Sequence, residues 1–426
     1  MRALQVSAFS LPDTVGGTQV MLAAISRNLV SRGHEVTVFR FAAEGLLRTY
    51  ETSRGHYLGA EVVSVGNDFS DLDSFRKLYR NDRIDAVFEA ELLRLRPDVV
   101  HVHHLTCLST GILDVLRRHG VPVVLSLWDF WLGCPRGQRI QDNLELCRKI
   151  DRKTCASCCA RLWPQLFDGG DTDDDVAILQ EYDAWMRRQL DEVDILAVPS
   201  ASTRDEYRAW GLLRDEIDIV PCGLERERFD RPRSARGSRL RVAYIGSVIP
   251  SKGAHVLVEA VQRLDPNSVQ LDVFGEAFPW HGDAGYVDRL RALDCGSHQI
   301  TLHGRYEPQD VPGILAKVDV LVVPGLWFET FCLTIREGFL AGVPVVTSRL
   351  GATAEAVEHE VTGLLVEPDD VEDLAKALGR LRDDPALADR LASAPKPIDD
   401  TKTMVARFAD LYDRALAVHA RPGTFA

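Results

Sequence analysis

Two glutamates eight positions apart are the residues whose spacing most directly suggests chemistry in this sequence. Glu329 and Glu337 lie in the segment WFETFCLTIREGFLAGVPVV. If a helix starts near Thr330, Glu329 lies at the edge of its N-terminus and Glu337 lies two turns in. Carboxylates at such a place can accept hydrogen bonds from sugar and ribose hydroxyls. Two isolated glutamates are more often a capping acid and a surface charge, so this interpretation depends on the surrounding sequence.

The start of the same helix is a predicted anion-binding site. Its first backbone N–H groups have no partner within the helix and can donate to a phosphate; they belong to Thr330, Phe331, Cys332 and Leu333. A second such element is YIGSVIPSKGAHVLVEA, residues 244–260, where a strand ends at Gly246-Ser247 and Lys252-Gly253 open a helix. Lys252 can contact a diphosphate there and stabilise the charge that develops on a leaving nucleotide. A lysine with no ligand is unfavourable at a helix N-terminus.

Near the N-terminus, Gly16-Gly17-Thr18-Gln19 follows the first predicted strand and precedes a helix. The two glycines permit close approach of the backbone to a phosphate or a sugar, although the spacing G-x-G-x-x-G is missing. A glycine pair alone is more often simple turn chemistry.

Histidines mark the end of another predicted strand, at His101-Val102-His103-His104. Strand alternation places His101 and His103 on one face and His104 just beyond the end, nearer a crevice. We expect these side chains to form a polar wall of a ligand-binding cleft. A metal is the weaker alternative, because no carboxylate or cysteine accompanies the pair.

Asp129, in LSLWDFWLGCPRG, also follows a predicted strand. A carboxylate at a strand end in a cleft can act as a general base toward an acceptor hydroxyl. The equally weighted alternative is that Asp129 caps the following turn.

Four cysteines in a polar, basic insertion have the spacing C-x12-C-x7-C-x2-C. Four thiolates can bind a structural zinc ion tetrahedrally and fold such a loop; the predicted ligands are Cys134, Cys147, Cys155 and Cys158. Free thiols are an equally weighted alternative, and an iron–sulfur cluster is less favoured.

These residues must be positioned by alternating strands and helices. Short apolar runs alternate with amphipathic helical patterns, which predicts an α/β fold with parallel sheets covered on both faces. We expect two doubly wound Rossmann-like domains that face each other across a cleft. The predicted parts are an N-terminal acceptor domain (1–220), a linker (221–240), a C-terminal donor domain (241–400) and a last helix (401–420) that can pack back on the first domain.

With those motifs in place, the sequence resembles the retaining glycosyltransferases of family 4, of GT-B fold, from residue 3 to about residue 416. The matching features are the E-x7-E pair after a strand ending in Pro324, the following GFLAGVPVVTS, and the segment around Lys252. The resemblance implies that Glu329 contacts the transferred sugar and Glu337 the ribose hydroxyls. It also implies that Gly16-Gly17 closes on the donor diphosphate, with no covalent intermediate.

Two positions depart from the family pattern. Ser247 stands where an arginine often follows the glycine, so one positive charge is missing, and Arg336 or Arg305 are candidates to replace it. Trp128-Asp129 stands where the family often has His-Asp.

Composition restricts the partners. Fifty basic and 63 acidic residues give a net charge of −13, which disfavours nucleic acid. No run of 18 uncharged apolar residues exists, and the N-terminus is predicted to be a strand and its loop, not a signal peptide. A cytoplasmic enzyme with mostly reduced thiols is expected. An arginine-rich stretch, residues 226–241, is the single candidate for peripheral contact with a membrane, and an interdomain linker is the favoured interpretation.

The sequence therefore predicts a hexosyltransferase that uses a UDP-sugar or GDP-sugar, with the base read by loops near Gly304 to Glu307. No cofactor or metal is expected in catalysis. The acceptor is a hydroxyl on a sugar, a lipid-linked compound or a small molecule, and the scarcity of lysine suggests a GC-rich bacterial genome. A nucleotide-sugar epimerase or hydrolase and a non-catalytic nucleotide-sugar binder are the alternatives.

Overall fold

A computed structural model of the chain describes residues 1–13, 16–42, 45–170, 172–211, 216–280, 282–293 and 299–420. The chain divides into two compact units. The first contains Met1–Gly137, Lys149–Gly223 and the C-terminal segment from Thr401; the second contains Gln138–Arg148 and Leu224–Asp400.

The first unit is built on an eight-stranded sheet. Its strands are β1 (Arg2–Ser7), β2 (Glu35–Phe41), β3 (Thr52–Tyr57), β4 (Ala60–Val65), β5 (Val99–Val102), β6 (Val123–Ser126), β7 (Ile195–Val198) and β8 (Asp218–Ile219). The order is β3-β4-β2-β1-β5-β6-β7-β8, and every pairing is parallel except β3 with β4. Its helices include α1 (Gly17–Ser31), α2 (Asp82–Leu95), α3 (Gly111–Arg118), α4 (Arg152–Leu162), α5 (Asp173–Asp191) and α6 (Ala201–Ala209).

The second unit is built on a six-stranded, all-parallel sheet. Its strands are β9 (Leu240–Ile245), β10 (Val269–Phe274), β11 (Ile300–Gly304), β12 (Val320–Val323), β13 (Val345–Ser348) and β14 (Leu364–Val366), in the order β11-β10-β9-β12-β13-β14. Its helices are α7 (Ala254–Gln262), α8 (Tyr286–Leu293), α9 (Val311–Leu315), α10 (Leu333–Leu340), α11 (Gly351–Ala356), α12 (Val371–Asp383) and α13 (Pro385–Ser393).

The last helix, α14 (Thr401–His419), belongs to the first unit although the whole second unit precedes it. Phe408, Leu411 and Tyr412 are almost completely buried. The hydroxyl of Tyr412 lies 2.8 Å from Nδ1 of His101 on β5. The core of the first unit is therefore completed by the C-terminal end of the chain.

The segment Gln138–Arg148 belongs to the second unit although both its neighbours in sequence belong to the first. It folds back on itself, with an antiparallel bridge between Ile140 and Leu146 and a 2.9 Å hydrogen bond from Cys147 N to Arg139 O. Ile140 is 1% exposed and lies in the hydrophobic core of the second unit. This small hairpin lies within the range that the sequence pattern assigns to the N-terminal domain.

The strand β3 is absent from the predicted elements because its sequence, TSRGHY, is polar and mostly exposed. It is held by antiparallel pairing with β4 through a turn at Leu58 and Gly59, which have φ of 52° and 82°. Two left-handed residues match the tight turns that join antiparallel strands. Among the helices that the structure describes, none is long and apolar enough to cross a membrane.

Candidate active site

In the second unit, the loops that follow β9 and β12 carry a cluster of three side chains. Nζ of Lys252 forms an ion pair with Oε1 of Glu329, and Nε1 of Trp327 donates to the same oxygen at 2.9 Å. Nζ of Lys252 also lies 4.7 Å from the centre of the Trp327 ring. The strand order reverses between β9 and β12, which is where doubly wound sheets bind ligands. Trp327 is a site residue that the sequence interpretation missed, although it stands two positions before Glu329.

Gly253 fixes the approach of these two loops. Its φ is +73°, and a Cβ there would lie 1.9 Å from the carbonyl oxygen of Pro324. Leu326 N donates to Ser251 O at 2.8 Å across the same contact. Because glycine alone fits both the backbone conformation and the space, the Lys252-Gly253 pair holds the lysine against the Glu329 loop.

The helix that carries Glu337 does not meet the condition of a start near Thr330. α10 begins at Leu333, and Cys332 before it has φ of +64°. Thr330 and Phe331 belong to the preceding loop, because a left-handed residue cannot continue a right-handed helix. Glu337 therefore lies just over one turn into α10. Burial raises the pKa of Glu337 to about 7, although the positive charge of Arg228 lowers it in part.

Arg336, one of the two candidates to replace the arginine missing at Ser247, makes its contacts within the loop that precedes α10. It is buried, its Nη1 donates to Phe331 O and to Cys332 O, the latter at 3.3 Å, and its guanidinium lies 4.0 Å from the centre of the Phe331 ring. It thus holds the loop that precedes α10. The other candidate, Arg305, is exposed and pairs with Glu307 at 3.1 Å. Ser247 accepts a 2.6 Å hydrogen bond at its carbonyl oxygen from Tyr244 Oη.

In the first unit, Gly16 is the N-cap of α1. No side chain caps this N-terminus, and the first turn of the helix contains no acidic residue. Gly17 is exposed, and Thr18 and Gln19 line a cavity of about 690 Å³. The N–H groups of this first turn are suited to an anion. Residues 14 and 15, which precede the glycines, lie outside the described residues.

His104 and Asp129 meet at the edge of the same cavity. Nε2 of His104 lies 2.8 Å from Oδ2 of Asp129, and Thr106 N donates to Nδ1 at 3.1 Å. Since Nδ1 accepts, the ring is held in the tautomer whose Nε2 donates to Asp129. Burial disfavours protonation of His104, but the charge and hydrogen bond of Asp129 outweigh it and raise the pKa of the ring. The other oxygen of Asp129 accepts from Trp131 N at 2.9 Å, so Asp129 also caps a turn.

His101 and His103 are not a wall of the site. Both are buried, and His101 lies 2.8 Å from both Tyr412 Oη and Ser126 Oγ. His103 lies 2.8 Å from Gln5 Oε1 and accepts from Trp128 Nε1 at 3.2 Å. Burial lowers the pKa of His103 to about 3, so its ring stays neutral. The expectation of a polar wall was therefore wrong for His101 and His103, which are 0% and 1% exposed, whereas His104 lines the cavity.

The predicted zinc ligands are divided between the units. Cys134, Cys155 and Cys158 belong to the first unit, whereas Cys147 belongs to the second. Burial raises the pKa of the Cys159 thiol, and the neighbouring thiols of Cys158, Cys134 and Cys155 add to the shift. In the part of the chain that the structure describes, no three His, Cys, Asp or Glu side chains are grouped as metal ligands. Zinc binding stays a prediction.

The arginine-rich stretch forms contacts within the second unit. Arg233 donates to Gly342 O at 2.7 Å and to Val318 O at 2.8 Å, and Arg236 and Arg241 pair with Asp389 and Asp319. These arginines attach the stretch to its own unit, which weakens the case for a membrane-binding face.

With this geometry in place, comparison with known proteins identifies the class. The model described as glycosyl transferase 4-like domain matches residues 16–223, and the model described as glycosyl transferases group 1 matches residues 239–384. A D-inositol 3-phosphate glycosyltransferase from Xylanimonas cellulosilytica is 30% identical over 428 residues, which cover 93% of this chain and 91% of that protein. The chain belongs to the GT-B glycosyltransferases of the family 4 type.

Other relatives align over a shorter range. An MMP alpha-(1->4)-mannosyltransferase from Mycolicibacterium hassiacum is 29% identical over 54% of this chain and 56% of its own. A GDP-mannose-dependent phosphatidylinositol monomannoside mannosyltransferase from Mycobacterium tuberculosis is 28% identical over 46% and 54%. The chain thus spans little more than half the length of these two relatives.

Solved structures confirm the fold. Sucrose-phosphate synthase from Thermosynechococcus elongatus superposes with a TM-score of 0.73 at 18% identity, over 98% of this chain and 99% of that one. Anabaena Alr3699/HepE, solved in complex with UDP and glucose, gives 0.68 at 17% identity, over 97% and 99%. The predicted α/β fold, with two Rossmann-like units of GT-B type, is confirmed.

Proposed function

We propose that this protein transfers a sugar from a UDP-sugar or GDP-sugar to an acceptor hydroxyl, with retention at the anomeric carbon. The observation that carries the proposal is the cluster of Lys252, Trp327 and Glu329 at the switch point of the second sheet. A cation held beside a carboxylate and an aromatic ring suits a ligand that combines a diphosphate with a sugar. Relatives named for GDP-mannose and a structural neighbour solved with UDP support a nucleotide-sugar donor.

Each donor-binding residue has a role in this proposal. Lys252 contacts the diphosphate, and Glu329 accepts from hydroxyls of the transferred sugar. Glu337 contacts the ribose, and the first-turn N–H groups after Gly16 and Gly17 donate to the phosphates. Stabilisation of the leaving diphosphate by fixed charges and dipoles supplies most of the rate enhancement.

The transfer breaks the bond between the anomeric carbon and the diphosphate oxygen and forms a bond from that carbon to the acceptor oxygen. The bonding electron pair leaves with the diphosphate, and the acceptor's hydroxyl proton passes to Asp129. His104 holds the Asp129 carboxylate through its Nε2 hydrogen bond. In this proposal neither Asp129 nor Glu329 forms a covalent bond to the sugar.

The first test is calorimetric titration of UDP, GDP and ADP into the wild-type protein, Lys252→Ala and Lys317→Ala. Lys317 is an exposed lysine of the same unit and serves as the matched control. We expect one diphosphate to bind, with affinity at least about tenfold weaker in Lys252→Ala and unchanged in Lys317→Ala, since a charge-assisted contact is worth ~1.5–3 kcal/mol. Equal binding by both variants would remove Lys252 from the donor site.

A second measurement separates the candidate activities. Incubation with the matching nucleotide sugar, without any acceptor, should leave it intact if the protein is a transferase. Release of free sugar or of an epimer would favour the hydrolase or epimerase. Donor binding without turnover of any acceptor would favour a non-catalytic binder, for which Trp128 and Ser247 are the motivating departures.

A further inference from the structure

The cavity of the first unit has two kinds of wall. Polar groups come from the carboxyl edge of the sheet and the start of α1, including Ser7, Gln19, His104 and Asp129. The rest of the lining comes from residues 69–79, from Trp163 and Tyr182, and from the loops that follow β1, β5 and β6, where, among the described residues, Arg136 is the one charged side chain beside Asp129 and His104; most of the other side chains are aromatic or aliphatic. The strand order of the first sheet reverses between β1 and β5, so the cavity lies at a ligand-binding position of that sheet.

The aromatic rings of this wall pack against one another. Phe75 lies at its centre, with ring centroids 5.1 Å from Phe167, 5.7 Å from Trp163 and 5.9 Å from Tyr79. Tyr79 in turn meets Tyr182 edge-on at 5.0 Å. The Tyr182 hydroxyl donates to the carbonyl oxygen of Trp131. Phe75, Tyr79 and Tyr182 are only 1–3% exposed and support the wall from behind, whereas the partly exposed side chains of Phe69, Leu72 and Trp163 supply its apolar surface.

The rim of the cavity is fixed by a buried asparagine. Asn67 Nδ2 donates to Cys107 O at 3.0 Å, and its Oδ1 accepts from Phe69 N at 3.2 Å. Phe69 and Cys107 both have left-handed backbones, with φ of 55° and 62°. Such conformations persist only where the surroundings enforce them, and they concentrate at ligand sites. The backbone of Phe69 is thus fixed by the Asn67 side chain, and its side chain lines the cavity.

A sugar acceptor carries a hydroxyl on nearly every carbon, and each hydroxyl removed from water needs a hydrogen-bonding partner. Here the polar partners lie along the sheet edge, at the start of α1 and at Arg136, whereas residues 69–79 and Trp163 supply mostly apolar lining, so hydroxyls on that side of a ligand would lack partners. A cavity of about 690 Å³ accommodates a drug-sized molecule. We infer that the acceptor is a small hydroxyl compound with an aromatic or fused-ring body, whose hydroxyl lies at His104 and Asp129. This inference rests on the proposed transferase function.

The test uses the full-length protein, with 2-naphthol as the ring-bearing probe and maltotriose as the sugar probe. Each is titrated calorimetrically without nucleotide, and transfer from nucleotide sugars of the diphosphate that binds in the first test is followed by mass spectrometry. We expect 2-naphthol to bind and to be glycosylated, and maltotriose to do neither. Phe69→Ala and Leu72→Ala should weaken 2-naphthol binding about tenfold, since each removes a ring or side-chain contact of ~1.5 kcal/mol.

Leu93→Ala is the matched control for Leu72→Ala, because Leu93 is an exposed leucine of the same unit and does not line the cavity. It should change neither titration, and none of the three variants should change nucleotide binding. Glycosylation of maltotriose but not 2-naphthol, or 2-naphthol binding that both cavity variants leave intact, overturns the inference. If the protein binds 2-naphthol but no nucleotide, the result contradicts the proposed transferase function. It then also contradicts the assignment of the ring-bearing compound as an acceptor.

Discussion

At the scale of single residues, two half-buried acids show how chemistry and stability compete. Burial raises the pKa of Glu337 to about 7 in the second unit and that of Asp85 to about 7 in the first. At a pH above its folded-state pKa, such an acid is ionised where it is poorly hydrated, and it therefore destabilises the folded state at that pH. The cost fades as the pH falls toward about 4.5, the ordinary pKa of a glutamate. In our proposal Glu337 repays this cost by contacting the ribose.

Glu337→Gln should therefore stabilise the protein and impair nucleotide binding together. We expect a gain of about 2 kcal/mol in the free energy of unfolding at pH 8, little gain at pH 5, and nucleoside diphosphate affinity at least about tenfold weaker. Denaturant melts at the two pH values and calorimetry measure these effects. Asp85→Asn is the control, with a similar pH-dependent gain and unchanged nucleotide affinity. Equal nucleotide affinity in wild type and Glu337→Gln contradicts a ribose contact.

At the scale of elements, the loops that follow β9 and β12 show what sequence reasoning can reach. The apolar runs of β9 and β12 locate the buried strands, and the E-x7-E motif locates Glu329 and Glu337. The pattern could not locate the left-handed Cys332 that delays α10, because cysteine carries no turn signal. It also missed Trp327, whose role depends on a contact across two loops. Polar strand β3 was missed because pairing with β4, and not its own composition, makes it a strand.

Gly253 offers a test of the contact between these loops. Gly253→Ala places a Cβ 1.9 Å from Pro324 O in a left-handed backbone, so the loops must separate. We expect a loss of at least about 3 kcal/mol in the free energy of unfolding, together with weaker nucleotide binding. Gly342→Ala is the matched control: Gly342 is also left-handed, with φ of +64°, but has open space around it. It should cost only about 1 kcal/mol and leave nucleotide binding unchanged. Equal costs for the two variants in denaturant melts would show that the loops do not depend on this contact.

At the scale of the whole molecule, two segments belong to a different unit from the one that their position in the sequence suggests. The hairpin of residues 138–148 belongs to the second unit, and α14 belongs to the first. The amphipathic pattern of α14 predicts a buried face, and the pattern alone does not choose the unit. The hairpin is harder to foresee, because its attachment depends on tertiary contacts of Ile140, Leu144 and Arg139 that no local pattern indicates. Long-range packing decides both cases, and local periodicity carries no information about it.

Replacing a buried side chain of either segment by alanine should therefore destabilise the unit to which the segment belongs, and not the unit that its position in the sequence suggests. Ile140→Ala should destabilise the second unit by ~2–5 kcal/mol, and Tyr412→Ala should destabilise the first by ~3–5 kcal/mol. Hydrogen exchange measured by mass spectrometry should show faster exchange in β9 and β10 for Ile140→Ala, and in β5 and β6 for Tyr412→Ala. Val418→Ala, on the exposed side of α14 (46% exposed), should change neither. Faster exchange in β5 and β6 of Ile140→Ala, with β9 and β10 unaffected, would contradict the assignment of the hairpin.

The position of α14 also sets an order of events during synthesis. A ribosome delivers the eight strands of the first sheet before any strand of the second, but it delivers Phe408 and Tyr412 after every strand of the second. The core of the first unit therefore stays incomplete until the segment from Thr401 has been synthesised. The second unit has all of its residues once Asp400 has been added. The first unit thus receives its last core residues only after the second unit has been synthesised, and a chain that stopped after the second unit would leave the first unit exposed to chaperones and proteases.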